Sequence, residues 1–261
     1  MQPDASAARG DGVGADRAGA WLTLVGIGED GVAGLGDEAR RRIAEAVLVV
    51  GGERQLRLAA PLIRGEARAW PSPLRDGVAS LIAWRGRPVV VLASGDPYCF
   101  GIGTTLRRLL PDVPLRCLSA PSSFSLACAR LGWPLQEITL ASLCGRPLSG
   151  LDVKLVPGAR LLVLSADETT PAKLAAWLVG QGWGGAVFHL LEALGGPEER
   201  LRSTRTDAFA DELAATGINR LNLVALELPS AARVFGQATR EPIEPFSPEE
   251  EECDANPVLG F

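Results

Sequence analysis

Residues 89–103 read Val-Val-Val-Leu-Ala-Ser-Gly-Asp-Pro-Tyr-Cys-Phe-Gly-Ile-Gly. The first five are apolar or small and rich in β-branched valine, which is typical of a buried strand in a parallel sheet. Gly95 can adopt a positive φ and lets a ligand approach the backbone, while Pro97 lacks an N–H and ends the strand. Asp96 is therefore expected at the carboxyl end of a strand, where open α/β sheets bind ligands. The spacing alone fits an ordinary strand–turn–helix connection equally well.

The segments on either side repeat this order of strand, turn and helix. In the first half, strands are predicted at residues 21–25, 47–50 and 115–118, and helices at residues 37–46 and 104–110. In the second half, strands are predicted at residues 161–164, 187–191 and 221–227, and helices at residues 125–131 and 170–180. Short connections between alternating strands and helices predict an α/β fold with a parallel sheet covered on both faces, and the second half is expected to be of the same class.

The length of 261 residues suits two modest domains. Residues 1–20 have the composition of a disordered leader, and residues 231–261 form an acidic, proline-rich tail or linker without apolar periodicity. We therefore predict an N-terminal α/β domain over residues 21–118 and a C-terminal α/β domain over residues 119–230.

Charge and composition exclude several classes of function. The net charge of −5 arises from the tail, so the body is slightly basic, which suits an anionic small molecule and is too weak for a nucleic-acid interface. The single histidine and the absence of CxxC spacing among the five cysteines argue against a metal site and predict reduced thiols in a cytoplasmic protein. No signal peptide or membrane-spanning run is visible, so no membrane partner is expected.

The motif Gly26-x-Gly28-x-x-Gly31 follows a predicted strand and matches the dinucleotide fingerprint, which makes a nicotinamide oxidoreductase the alternative. In that fingerprint the third glycine lies where the helix begins, so that the pyrophosphate meets the helix N-terminus. Here residues 32–36 intervene, and the helix cannot begin before Gly36. A plain glycine-rich turn is the better interpretation.

The loop at residues 142–147 holds the other polar side chains of interest. Arg146 is either a solvated surface side chain or a clamp for a ligand carboxylate. Cys144 is a poor candidate nucleophile, because the single histidine, His189, lies far along the chain within an apolar predicted strand. His189 itself is expected to be a buried or half-buried strand residue.

Together these motifs resemble the tetrapyrrole (corrin/porphyrin) methyltransferase superfamily. Three motifs carry the likeness, at residues 24–31, 92–97 and 121–132. Further segments resemble its precorrin-6B (or cobalt-precorrin) C-5 methyltransferase branch, namely those at residues 51–54, 100–103, 142–147, 191–200 and 221–227. The likeness spans residues 21–228 in order.

The resemblance implies two α/β domains with S-adenosylmethionine in the cleft between them. By position, the family's cofactor contacts fall on Gly95, Asp96, Ser122, Ser123, Ala166 and Leu223. No catalytic residue is predicted, because the electron-rich macrocycle is itself the nucleophile and needs only to be held in line with the methyl group.

The same resemblance implies a polycarboxylate corrinoid substrate, with or without cobalt, and a homodimer. The predicted substrate contacts are Arg54, Cys144 and Arg146. The branch often has histidine where this chain has Gln55 and Cys144, which puts the substrate form in question. Many relatives are fused to a C-15 methyltransferase and decarboxylase domain, so a partner or fused domain of that kind is expected.

Overall fold

The computed structural model describes residues 20–213 and 216–230, which form two five-stranded sheets. The first sheet is entirely parallel, with the order β3-β2-β4-β1-β5. Its strands are β1 (Leu22–Ile27), β2 (Leu48–Gly51), β3 (Glu66–Ala69), β4 (Val89–Ser94) and β5 (Leu115–Leu118). The predicted parallel sheet of the first half is therefore confirmed.

Helices cover both faces of this sheet, which explains the unbroken valine runs. They are α1 (Asp37–Glu45), α2 (Glu53–Ala59), α3 (Leu74–Ser80) and α4 (Ile102–Leu109), with 3₁₀ turns at Gly31–Ala33 and Leu81–Trp84. Within β4, Val91 packs into a core on one face, and Val90 and Leu92 pack into a separate core on the other. A strand buried on both faces has no polar side to alternate with.

The second sheet has the order β6-β7-β10-β8-β9. Its strands are β6 (Thr139–Ser142), β7 (Arg160–Leu164), β8 (Val187–Glu192), β9 (Arg200–Arg205) and β10 (Asn222–Glu227). The helical segments of this half are α5 (Ser123–Leu131), α6 (Thr170–Gly180) and α7 (Phe209–Glu212), with 3₁₀ turns at Leu135–Glu137, Leu148–Lys154 and Thr206–Ala208.

The expectation that the second half repeats a parallel sheet is wrong. Strands β6 and β7 pair in parallel, whereas β10 pairs antiparallel with both β7 and β8, and β8 pairs antiparallel with β9. The connection between β8 and β9 is too short to hold a crossover helix, so the chain must return in the opposite direction.

Among the described strands, none of one sheet pairs with a strand of the other, and the connection between them follows Leu118. We retain the domain boundary near residue 119 as a proposal. The predicted tail lies outside the described residues, as does the predicted leader apart from its last residue. Within the described residues, no helix has the length and apolar character that a membrane span requires.

Candidate functional site

A cleft lies at the carboxyl ends of the parallel strands of the first sheet. It encloses about 1130 Å³, part of it open to solvent. One side is formed by the loops that follow β1, β2 and β4 and by the start of α5. The opposite side is formed by residues of β7, β8 and β10, so both sheets contribute to one binding space. This is the place where open α/β sheets bind ligands.

The floor of the cleft is a close crossing of two backbones. The backbone N–H of Ala120 donates to the carbonyl oxygen of Gly95 (3.1 Å), and Gly95 has a φ of 52°. A Cβ on Gly26 would overlap that same carbonyl oxygen and approach the Ala120 nitrogen to 2.8 Å. A Cβ on Gly95 would lie 2.7 Å from the carbonyl oxygen of Pro121. Both glycines are therefore required by the backbone itself, before any ligand is considered.

This geometry also explains the fingerprint-like glycines. Gly26 serves the crossing just described, and Gly31 has a φ of 60° at the start of a 3₁₀ turn. Helix α1 begins at Asp37, after Gly36. The expected late start of the helix is confirmed, and the fingerprint lacks the helix N-terminus that a pyrophosphate would need.

The loop after β4 presents Asp96 to the cleft with its shape fixed. One carboxylate oxygen of Asp96 accepts from the backbone N–H of Tyr98 (2.9 Å). Beside this loop, Ser122 is the N-cap of α5, and its hydroxyl oxygen accepts from the backbone N–H of Ser125 (3.1 Å). Ser123 is the first residue of that helix, so the helix begins at the cleft wall.

Four polar side chains form a connected cluster at one end of the cleft. Arg54 and Glu29 form an ion pair. Ser94 Oγ accepts a hydrogen bond from Arg54 Nη2 (2.5 Å) and another from Gln55 Nε2 (2.8 Å). Burial, together with the charge of Arg57, lowers the pKa of Arg54 to about 10, so the guanidinium remains charged at neutral pH. The ion pair leaves little net charge here.

The opposite wall is mainly apolar. Leu164, Leu191 and Leu223 come from three strands of the second sheet and face the cleft. Beside them, Asn222 is buried, and its Nδ2 donates to the carbonyl oxygens of Asn219 (2.9 Å) and Asp167 (3.2 Å). Its Oδ1 atom is buried without a hydrogen-bond partner. An unpartnered amide oxygen is therefore buried beside the aliphatic side chains of this wall.

Seven of the nine residues predicted from the resemblance line this cleft, namely Gly95, Asp96, Ser122, Ser123, Leu223, Arg54 and Cys144. Ala166 is not among the lining residues, and its backbone N–H donates to Thr170 Oγ1 (3.2 Å). Arg146 is exposed outside the lining, with its guanidinium carbon 5.6 Å from the ring centroid of Phe100, a lining residue.

The cleft thiols and the histidine are not arranged for nucleophilic catalysis. Burial raises the pKa of the Cys144 thiol, which donates to the carbonyl oxygen of Ser165 (3.4 Å) and stays neutral at neutral pH. His189 is a half-buried residue of β8 whose ring nitrogens contact Ser203 Oγ (2.7 Å) and Glu227 Oε1 (3.3 Å). The expectations for Cys144 as a poor nucleophile and for His189 as a strand residue agree with these positions.

Sequence reasoning missed several lining residues. Glu29, Ser94 and Asn222 each stand within or beside a quoted motif, so their position next to a strand end was an available signal. Phe100 and Ala193 have positive φ values of 55° and 45°, which are uncommon for residues with a side chain, and both line the cleft. No sequence signal marked that backbone strain.

Comparison with known families settles the classification. The family model described as Tetrapyrrole (Corrin/Porphyrin) Methylases matches residues 21–210. The chain belongs to this family. The matched region contains most of the cleft lining described above.

Two curated relatives of the family illustrate the likeness in sequence. A precorrin-6Y C(5,15)-methyltransferase [decarboxylating] from Sinorhizobium sp is 53% identical over 208 residues, which cover 80% of this chain and 49% of the relative. A cobalt-precorrin-7 C(5)-methyltransferase from Salmonella typhimurium is 29% identical over 184 residues, covering 69% of this chain and 88% of the relative. The chain spans about half the length of the first relative.

Solved structures agree on the fold. A precorrin-6Y methylase from Archaeoglobus fulgidus has a TM-score of 0.61 at 24% sequence identity. The superposition covers 80% of this chain and 98% of the methylase chain. A uroporphyrin-III C-methyltransferase from Thermus thermophilus, complexed with S-adenyl homocysteine, has a TM-score of 0.63 at 24% sequence identity. The superposition covers 79% of this chain and 96% of that methyltransferase chain. The predicted methylase fold, with two α/β units around a cleft, is confirmed.

Proposed function

We propose that this chain is an S-adenosylmethionine-dependent C-methyltransferase that acts on C-5 of precorrin-6B, or of its cobalt form, in cobalamin biosynthesis. The observation that carries the proposal is the 53% identity over 208 residues to a relative named for C-5 and C-15 methylation. The relative named for C-5 alone, of which the matched segment covers 88%, is named for cobalt-precorrin-7; it supports the C-5 position and not the precorrin-6B form of the substrate.

The residues of the cleft fit the proposed cofactor. Asp96 supplies a carboxylate suited to a cationic ligand, and aliphatic side chains cover the opposite wall. The unpartnered Oδ1 of Asn222 is a buried acceptor suited to an amino group of a ligand. We assign cofactor contacts to Gly95, Asp96, Ser122, Ser123 and Leu223, and leave Ala166 as a prediction from the resemblance.

When bound, the cofactor supplies a methyl group on a positively charged sulfur. The chain's own part is to hold two reactants in line and to exclude water, since an electron-rich macrocycle attacks without a base from the protein. The fixed loop at Asp96 and the capped start of α5 are suited to this task. The neutral thiols of Cys99 and Cys144, whose pKa values burial raises, add no competing nucleophile.

A polycarboxylate substrate needs cationic partners. Arg54 is paired with Glu29, so its charge is largely compensated before a substrate arrives. Arg146 is exposed at the side chain of Phe100 and has no carboxylate partner among the described residues. We therefore assign the outer carboxylate contact to Arg146, with Arg54 and Cys144 as inner contacts.

The dinucleotide alternative is not favoured, because Gly26 serves the backbone crossing, Gly31 begins a 3₁₀ turn, and helix α1 begins only at Asp37. A homodimer, a cytoplasmic location and a C-15 methyltransferase and decarboxylase partner or fused domain remain predictions from the sequence.

Calorimetric titration with S-adenosylhomocysteine and with NAD tests the cofactor assignment. We expect binding of the first and none of the second. Incubation with precorrin-6B and cofactor carrying a deuterated methyl group then tests the transfer. The proposal would be overturned if the protein bound NAD but not S-adenosylhomocysteine. It would also be overturned if the folded protein left the substrate unmethylated.

A further inference from the structure

The hydroxyl of Ser94 is held in one orientation by two donors. Its oxygen accepts from Arg54 Nη2 and from Gln55 Nε2. A serine hydroxyl has two acceptor lone pairs and one proton to donate. Because these two bonds use both lone pairs of Ser94 Oγ, the hydroxyl can make a further hydrogen bond only by donating its proton. Among the described residues no acceptor is hydrogen-bonded to this proton, and Ser94 lines the cleft.

The two donors are themselves fixed by the fold. Gln55 is 2% exposed and lies in the first turn of α2. Arg54, the residue before it, is held by its ion pair with Glu29. Strand β2 pairs with β4, so the start of α2 lies beside the end of β4, where Ser94 is located. The orientation of the hydroxyl therefore follows from strand pairing.

We propose that Ser94 donates a hydrogen bond to a carboxylate of the ligand bound in the cleft, and that Arg54 and Gln55 act as positioning residues. A hydroxyl that accepts from a guanidinium is polarised and becomes a stronger donor, which favours an anionic acceptor. The Nε of Arg54 is a second buried donor of the cluster without a partner. In the same cluster Gln55 Oε1 is a buried acceptor without a partner, so the orientation of the Gln55 amide decides whether Ser94 accepts from it or donates to it.

This inference rests on the proposed function, since that function supplies two ligands with carboxylates. One is the amino-acid end of S-adenosylmethionine, and the other is an acetate or propionate side chain of the corrinoid. Both offer the same chemistry to Ser94, and the binding experiments below separate them.

The Ser94→Ala variant tests the donor. S-Adenosylhomocysteine carries the carboxylate, whereas 5′-methylthioadenosine is a related thioether that lacks it, so calorimetry with both probes isolates this contact. If the cofactor's carboxylate is the acceptor, the variant weakens S-adenosylhomocysteine binding about tenfold or more and leaves methylthioadenosine binding unchanged. If the corrinoid's carboxylate is the acceptor, both affinities are unchanged and KM for precorrin-6B rises by a similar factor while kcat changes less.

Two results distinguish the failure of this inference from failure of the proposed function. A Ser94→Ala variant with wild-type affinity for the probe and wild-type KM contradicts the role of Ser94 alone. A folded wild-type chain that binds no S-adenosylhomocysteine and transfers no methyl group contradicts the proposed function as well.

Gln55→Met tests the positioning role. In the arrangement described, Gln55 donates to Ser94, so its removal frees a lone pair and loosens the hydroxyl, and the ligand affinity that depends on Ser94 falls several-fold. If the amide were reversed, Gln55 would accept the Ser94 proton, and Gln55→Met would release that proton and raise the affinity. A rise would overturn the inference.

Discussion

The two sheets place their charged side chains in opposite ways. In the first half, Glu29 and Asp96 reach the cleft from loops that follow strands of the sheet, and Arg54 reaches it from the start of α2. The second sheet keeps its most buried carboxylate, Glu192, outside the cleft lining, where it is 0% exposed and paired with arginines of β9. The cleft therefore receives charge from one side and a largely apolar wall from the other.

The pairing of Glu192 shows what the second arrangement achieves. Glu192 accepts from Arg200 Nε and Nη2 (2.8 Å each) and from the backbone N–H of Asn219 (2.7 Å). Arg200 and Arg202 also donate to the carbonyl oxygen of Gly217 (3.0 Å each). These contacts hold the segment that leads into β10, and hence the wall. Variants of the first half should mainly change ligand binding, and those of the second half mainly stability.

Gly26→Ala, although it lies in the first half, is expected to reduce both stability and ligand binding, and to have the largest effect of the variants considered. Its Cβ would overlap the Gly95 carbonyl oxygen, so β1 and the loop after β4 must move apart. We expect a loss of about 3 kcal/mol or more in the free energy of unfolding, together with loss of S-adenosylhomocysteine binding. Gly36→Ala is the control, because a Cβ at that position would meet nothing within 4 Å beyond its chain neighbours. Equal melting temperatures for the two variants would contradict the crossing.

Glu192→Gln should separate stability from binding. Removing the carboxylate leaves Arg202, whose side chain is 15% exposed, without its buried counter-charge, at a cost of about 3 kcal/mol in the free energy of unfolding. The folded fraction should retain its affinity for S-adenosylhomocysteine. Glu66→Gln removes an exposed ion pair with Arg68 and should cost less than about 1 kcal/mol. Denaturant unfolding measures the stability of both variants. Similar losses of unfolding free energy for Glu192→Gln and Glu66→Gln would contradict the special role of the buried carboxylate.

The same carboxylate predicts a dependence of stability on pH. Burial raises the pKa of Glu192, but hydrogen bonds from Arg200 and Asn219 and the charge of Arg202 outweigh it, so the pKa lies below the ordinary value of 4.5. The contribution of Glu192 is therefore present above about pH 4.5 and is lost as pH falls through the lowered pKa of the folded state. Between pH 6 and pH 3.5 the melting temperature of the wild type should fall more steeply than that of Glu192→Gln. Parallel curves would exclude this contribution.

Arg146→Ala has the smallest expected effect. An exposed guanidinium is screened by water, so we expect KM for precorrin-6B to rise about fivefold, with S-adenosylhomocysteine affinity unchanged. Arg64→Ala removes an arginine outside the cleft lining and serves as the charge-matched control. If both variants shift KM equally, the effect belongs to net charge and Arg146 has no specific contact.

Much of the fold could be predicted because its strongest signals are local. The apolar run at residues 89–93 predicted β4, and Gly132, with a φ of 68°, ends α5 as expected. Strands β3, β6 and β9 were missed. The sequences of β3 and β9, Glu-Ala-Arg-Ala and Arg-Leu-Arg-Ser-Thr-Arg, are rich in charged residues and mostly exposed. Strands β3 and β9 lie at the edges of their sheets, where charged side chains protect against further pairing.

The site was predictable only in part, for a related reason. Gly95 and Asp96 were found because a strand end and a turn are local in sequence. The contacts of Ser94 with Arg54 and Gln55 join residues about 40 positions apart and depend on β2 lying beside β4. The order of strands in a sheet cannot be predicted from the sequence of any single segment. The antiparallel pairing of β10 was missed similarly, because a buried strand has the same apolar pattern in either direction.

Mass spectrometry of the product formed from precorrin-6B and S-adenosylmethionine tests the central proposal most directly. The proposed cofactor and substrate share one cleft lined by residues of both sheets, and the matched segment covers 49% of the relative named for both methylations and decarboxylation. Loss of carbon dioxide is a different reaction that needs its own charge-stabilising site. We predict a product with one new methyl group, at C-5, and all carboxyl groups retained. A product with two new methyl groups, or with one carboxyl group fewer, would contradict this account.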